Sequence, residues 1–344
     1  MSIDPVERVP LGRTNVKVTR LGFGSAPIAG LYTPVTDDDG AAVVRHAWDL
    51  GIRYFDTAPL YGYGNGERRT GLGLAGKPRD AFVVSTKVGR LLVPQDRITP
   101  DMERDWQRYG DEIDWYHKGV DETRPVFDYS GDAVRRSVEQ SLERLKLDRI
   151  DILYVHDPDD HMEQAADETF PALARLRAEG TVGAIGFGMN VAEKLAWFTE
   201  RLDPDVLMVA GRYTLLDQAA IGELLPLCER KGVSIVIAGV MNSGMMADPK
   251  PGATFNYSPA EESWVRKAQA IRDVCVRHGV NQRAAAMQFP FAHPTVASVV
   301  AGVRTFPHLD EYPELMQVPI PAALWQELRA EGLIDPAAPV PAGA

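Results

Sequence analysis

Residues 37–57, DDDGAAVVRHAWDL-G-IRYFDT, contain one complete structural unit. Three aspartates favour the positive end of a helix, Gly51 ends it, and an apolar run follows that finishes in Asp56. The same helix, glycine, strand order returns as ETFPALARLRAEG-TVGAIGFG at 168–188 and as AAIGELLPLCERKG-VSIVIAG at 219–239. The strand runs LGFGS, IRYFDT, FVVSTK, IDILYVH, VGAIGFG, VLMVAG, VSIVIAG and VASVVAG number eight and are nearly continuous in apolar residues. Such runs belong to parallel strands covered on both faces. Between them lie one-face apolar stripes such as Val134, Val138, Leu142 and Leu145, or Val191, Leu195, Phe198 and Leu202.

Eight strand–helix units without a Pro/Gly/Ser-rich linker favour a (β/α)8 barrel in a single domain spanning 1–344 over a doubly wound sheet with a second domain. Residues 8–18 predict a β-hairpin ahead of it, and 88–129 a long polar and aromatic insert after the third strand, with Trp106, Tyr109, Trp115, Tyr116, Phe127 and Tyr129. Beyond Pro321 the pattern predicts one short helix and then a loose Pro/Ala tail from about 333 to 344.

Composition excludes several classes of function. A net charge of −11, from 48 acidic and 37 basic residues with no Lys/Arg run, argues against a nucleic-acid partner. No window of about 18 apolar residues and no signal-like N-terminus occurs, so a soluble cytoplasmic protein without membrane attachment is expected. Cys228 and Cys275 each fall in an amphipathic helix, as reduced core thiols do. The acids and histidines of His156-Asp-Pro-Asp-Asp-His161 lack a second cluster to close a coordination shell, so no metal is expected. Nothing in the chain settles an oligomeric state.

Barrel strands deliver their C-terminal ends to one face, where catalytic side chains sit. Asp56 ends the second strand, Tyr61 follows in a Gly-rich loop, Lys87 ends the third and His156 the fourth. A phenol ionises near pH 10, and a neighbouring ammonium favours its phenolate. Lys87 can supply that charge, Asp56 can balance a buried lysine, and a neutral His156 can hydrogen-bond a substrate oxygen. The four groups suit proton transfer between an alcohol and a carbonyl, with the hydride carried by a cofactor. Gly62, Gly64 and Gly66 lack the spacing of a phosphate loop and serve the turn around Tyr61.

The segments LGRTNVKVTRLGFGS, GIRYFDTAPLYGYGNGE, STKVG, SLERLKLDRIDILYVHD, GAIGFGMN and RYTLLD resemble the aldo-keto reductase family over nearly the whole chain. The resemblance implies a (β/α)8 barrel, a tetrad of Asp56, Tyr61, Lys87 and His156, and a nicotinamide dinucleotide held without a Rossmann fold. KVGRLL, HDPDD and GRYTLLDQ are similar to the aldose 1-dehydrogenase branch, with L-fucose, D-threo-aldose and pyridoxal 4-dehydrogenases. The implied reaction oxidises the anomeric hydroxyl of an aldose such as L-fucose, L-galactose or D-arabinose to a lactone, with Tyr61 as general base. A pyridoxal 4-dehydrogenase or general aldehyde reductase is the alternative. Of another class is a cofactor-binding redox sensor or regulatory subunit, as in the potassium-channel β-subunits.

The implied cofactor contacts are Gly24, Ser25, Asp56, Asn190, Met241, Ser243, Gly244, Gly302 and Arg304. Three positions depart from the family pattern. Met189 precedes Asn190 where Ser is usual, Ala210 stands for a Gln, and Ala238 for a ring-stacking Tyr. The Lys-Ser pair and later Arg that bind a 2'-phosphate are missing after the eighth strand, which favours NAD over NADP although Arg304 could meet a phosphate. Substrate contacts are expected from Tyr32, Tyr63, Trp115, Tyr129, Asp157 and Arg212.

Overall fold

The computed structural model describes residues 2–31, 33–105, 123–256 and 258–343. Tyr32 and Trp115, with Trp106, Tyr109 and Tyr116, therefore lie outside the described residues. The chain opens with the antiparallel hairpin of β1 (Arg8–Pro10) and β2 (Lys17–Thr19). There follow β3 (Leu21–Gly24), β4 (Tyr54–Asp56) and β5 (Val83–Val88), and then the ribbon of β6 (Arg90–Pro94) and β7 (Thr123–Phe127). Next come β8 (Ile152–His156), β9 (Ala184–Met189), β10 (Val206–Ala210) and β11 (Ser234–Ala238). A two-residue pair, β12 (Thr254–Phe255) and β13 (Ser258–Pro259), precedes β14 (Val296–Gly302).

Eight of these strands close a barrel in the order β3, β4, β5, β8, β9, β10, β11, β14 and back to β3, every pairing parallel. They are the eight runs predicted from the apolar pattern. The helices cover them as the start and stop signals indicate. Helix Asp37–Asp49 is capped by Thr36, whose hydroxyl accepts from Asp39 N, and Gly51 follows it at φ 89°.

The core is layered. One apolar cluster fills the space between strands and helices; a second lies inside the barrel. The second includes Leu11 and Val18 from the hairpin, packed with Tyr54, Ile152, Ala184 and Val206. These last four begin or nearly begin their strands, so the hairpin plugs the barrel at its N-terminal end and the opposite end is left for chemistry. Among the described residues no helix is long and apolar enough to cross a membrane.

Two features differ from the sequence reading. The insert is not only loop, since Arg90 pairs with Phe127 and Pro94 with Thr123 in an antiparallel ribbon. Leu91 and Val126 bury its inner face against Ala133. The tail is not loose from 333. Leu333, Ile334 and Ala338 are buried, Asp335 N donates to Gln218 Oε1, and Arg329 Nη2 donates to Ala338 O. Prolines remove the periodicity that marks a helix, yet these apolar residues still find a core surface beneath helix Ala322–Ala330. Removing 333–344 should therefore lower the melting temperature by several degrees in differential scanning calorimetry; an unchanged transition would show that the tail adds no stability.

Candidate active site

Three of the four tetrad positions are built by alternation along three adjacent strands. Tyr54 and Asp56 on β4, Ser85 and Lys87 on β5, and Tyr154 and His156 on β8 are each two residues apart, so each pair shares one face of its strand. Register aligns them across the sheet, with Asp56 opposite Ser85 and Lys87 opposite Tyr154. One layer carries the upper groups; the layer beneath supports them.

Lys87 Nζ donates to Asp56 Oδ2 at 2.8 Å, to Oδ1 at 3.0 Å and to the Thr57 carbonyl at 2.8 Å. Both side chains of the pair are almost wholly enclosed. Ser85 Oγ adds a further donor to Asp56 Oδ1 at 2.6 Å. Burial pushes the Asp56 carboxyl up, while Lys87 and the Ser85 hydroxyl pull the other way. Beneath them, Ser85 Oγ is 3.1 Å from Tyr54 OH and Tyr54 OH is 3.2 Å from Tyr154 OH. Burial raises both phenols above their ordinary value, so they act as neutral hydrogen-bonding groups.

Tyr61 is carried over this pair by a turn in which Gly62, Tyr63 and Gly64 take φ 58°, 49° and 93°. At Gly62 a Cβ would meet the Ala29 carbonyl oxygen at 2.1 Å, so no other residue fits there without moving backbone. Lys87 Nζ lies 4.7 Å from the centre of the Tyr61 ring, and the His156 ring meets Tyr61 edge to face at 5.9 Å. Burial, followed by the charges of Arg90 and Lys87, holds the His156 imidazole well below its usual range. It is neutral at ordinary pH. All four groups expected to act together are thus gathered at one mouth.

A second network, absent from the sequence reading, supports His156. Arg90 Nη1 donates to the His156 carbonyl at 2.9 Å, and its Nε donates to Asp105 Oδ2 at 3.0 Å. Tyr129 OH contacts the carbonyls of His156 at 2.6 Å and Asp157 at 2.9 Å. Tyr129, expected to face substrate, is enclosed with its hydroxyl spent on backbone: it supports the end of β8. The signal for Arg90 was its place three residues after Lys87, but no sequence spacing points to Asp105.

The remaining candidates are spread around the same rim. Gly24 ends β3 and pairs with both Asp56 and Gly302, and Ser25, just beyond the strand, donates its backbone N–H to the Asp56 carbonyl at 3.0 Å. Asn190 follows β9 and is half-buried; Met241, Ser243 and Gly244 lie in the turn after β11, and Arg304 is exposed beyond β14. Tyr63 is buried under the Arg124 guanidinium, 5.5 Å from its ring centre. Arg212 donates to Asp217 Oδ2 at 3.2 Å and to Asn256 Oδ1 at 3.0 Å, so it ties two loops together. Asp157 is half-buried at the mouth, where burial, only partly offset by Arg90, pushes its carboxyl up to about 6.

A nicotinamide dinucleotide can be tested against these residues. At the ends of β10 and β11 stand only the methyl groups of Ala210 and Ala238, followed by Gly211 and Gly239. Beside them the amide oxygen of Asn242 is buried without a hydrogen-bond partner among the described residues, as is the Ser25 hydroxyl. Open, small-residue strand ends with unused polar atoms fit a flat ring bearing an amide.

The sequence matches the model of the aldo/keto reductase family over residues 20–331, and the chain belongs to that family of oxidoreductases. It is 43% identical over 321 residues to D-threo-aldose 1-dehydrogenase of Pseudomonas sp, covering 92% of this chain and 95% of that one. Pyridoxal 4-dehydrogenase of Microbacterium luteolum is 41% identical over 346 residues, 97% of this chain and all (100%) of that protein. Among solved structures, an aldo-keto reductase from Bacillus halodurans in its holo form superposes with a TM-score of 0.72 at 24% identity, covering 96% of this chain and 97% of that one. The last likeness bears on the fold. Together these comparisons bear out the family and the dehydrogenase branch indicated by the motifs, and with the family comes use of a nicotinamide dinucleotide.

The raised carboxyl of Asp157 gives a pH test. A folded-state value of about 6, above the ordinary carboxylate value near 4, means that the folded chain binds the proton more tightly, so stability falls as pH rises from about 4 to about 6. Asp157→Asn should then be more stable than the unsubstituted protein at pH 7, by about 1–2 kcal/mol after allowing for solvent screening, and equal to it near pH 4. Urea unfolding at both pH values measures this; a variant less stable at pH 7 would contradict it.

Proposed function

We propose that this oxidoreductase oxidises the anomeric hydroxyl of an aldose to a lactone, with NAD preferred over NADP. The observation that carries the reading is the Tyr61 ring set between the Lys87 ammonium, 4.7 Å from its centre, and the neutral His156 imidazole. When bound, the nicotinamide dinucleotide accepts the hydride from the anomeric carbon. Tyr61 takes the hydroxyl proton as general base. A phenolate formed there is stabilised by Lys87, which Asp56 holds in place by two contacts. His156 donates to the same substrate oxygen and orients it; the carbonyl contacts from Arg90 and Tyr129 keep the imidazole in position.

The cofactor's ring would be held by Asn190, Met241 and the small residues at the ends of β10 and β11. Arg304, which the family resemblance puts at the adenosine end, shares a groove of about 330 Å³ with Asp39, Thr305 and Phe306. A carboxylate in that groove repels a 2'-phosphate and suits the ribose hydroxyl of NAD. The buried free thiols Cys228 and Cys275 suit the reducing cytoplasm.

Tyr61→Phe should reduce kcat with L-fucose, L-galactose or D-arabinose by 100-fold or more, roughly the worth of general-base catalysis, while leaving nucleotide binding within about twofold. Undiminished turnover would refute the assignment. In a fluorescence titration NADH should bind at least tenfold tighter than NADPH, and tighter binding of NADPH would overturn the preference.

A further inference from the structure

One carboxylate at the mouth has no place in the proton transfer described above. Asp157 takes φ 42°, a left-handed conformation that is uncommon for a residue with a side chain. Its Oδ2 lies 3.5 Å from His156 Nε2 and 3.7 Å from Arg90 Nη2, too far for a good hydrogen bond to either. Arg90 is already engaged, with Nε on Asp105 and Nη1 on the His156 carbonyl. The Tyr129 hydroxyl goes to the backbone oxygen of Asp157, leaving its carboxylate untouched. That carboxylate is 30% exposed, on the rim next to the histidine. The left-handed backbone and the partial desolvation of its carboxyl weigh against Asp157 as a purely structural residue, and such costs collect at functional positions.

We propose that Asp157 is the subsite for the hydroxyl on the carbon next to the reacting one, its carboxylate accepting a hydrogen bond from that hydroxyl. This rests on the aldose reading above and deepens it. Vicinal oxygens on a sugar ring stand about one hydrogen-bond length apart, and His156 Nε2 and Asp157 Oδ2 stand 3.5 Å apart on one rim. A diol fragment can therefore present its reacting oxygen to His156 and Tyr61 and its neighbouring hydroxyl to Asp157. A charged acceptor makes this contact strong. A substrate lacking the second hydroxyl would leave a desolvated carboxylate without a donor, and a site built in this way rejects such analogues far better than an apolar pocket does. The favoured class is a cyclic hemiacetal with an adjacent hydroxyl, ahead of 2-deoxy sugars and simple aldehydes.

The test compares the unsubstituted enzyme, Asp157→Asn and Asp157→Gly on two pairs of substrates: L-galactose with 2-deoxy-L-galactose, and D-arabinose with 2-deoxy-D-ribose. Asn and Gly both tolerate the left-handed backbone, so folding is preserved. The unsubstituted enzyme should prefer the hydroxylated sugar at least tenfold in kcat/KM. Asp157→Asn should show a weakened preference and Asp157→Gly one within about threefold, the change lying mainly in the KM of the hydroxylated sugar. Cofactor Kd should stay within about twofold in both variants. A preference that survives intact in Asp157→Gly, or one that the unsubstituted enzyme lacks, would overturn the proposal. Equal losses on both members of a pair, or loss of cofactor binding, would mark Asp157 as structural support and also overturn it. An unsubstituted enzyme that turns over neither hydroxylated sugar would sink the aldose reading itself, and the subsite with it.

Discussion

The ion pair of Lys87 with Asp56 is the contact on which the rest of the mouth depends. A lysine and an aspartate enclosed in a barrel are each expensive to desolvate, and they are tolerated only with close geometry and a full set of hydrogen bonds. Here the lysine uses three contacts, two to Asp56 and one to the Thr57 carbonyl, and Asp56 gains a further donor in Ser85. That requirement explains the layer below. Tyr54, Ser85 and Tyr154 form a polar chain inside the barrel where apolar packing would be simpler, and its upper end is Asp56. The ammonium is thereby held beneath the Tyr61 ring, where it can act on a phenolate.

His156 is positioned from the other side by groups that come from the insert. Arg90 begins the ribbon strand β6, Asp105 lies beyond its end, and Tyr129 follows β7. The ribbon thus does more than cover the mouth: it delivers the donors that fix the end of β8 and the positive charge that helps keep the imidazole neutral. Asp157 sits at the junction of both networks, close to His156 and Arg90 yet bonded through its carboxylate to neither. Loops carried by a rigid barrel commonly define what it recognises, and this carboxylate stands where the end of β8 meets the ribbon.

The apolar runs and the helix, glycine, strand rhythm determined eight parallel strands and favoured a barrel over a doubly wound sheet, because strands buried on both faces read as nearly continuous apolar runs and Gly51, Gly180 and Gly232 each follow a helix at positive φ; that the sheet closes on itself was decided by the strand pairing. Asp56, Lys87 and His156 were legible for the same reason: each ends such a run, and barrel topology sends those ends to one face. The supporting layer was written in the same strands, as Tyr54, Ser85 and Tyr154 two residues before Asp56, Lys87 and His156, but the apolar character of the runs concealed it. Only tertiary structure could decide the contacts made across long separations. The pairing of Arg90 with Asp105 and the His156 carbonyl, the enclosure of Tyr129, the tie between Arg212 and Asn256, and the docking of the tail onto Gln218 depend on how loops return to the barrel, and no local periodicity records a return path.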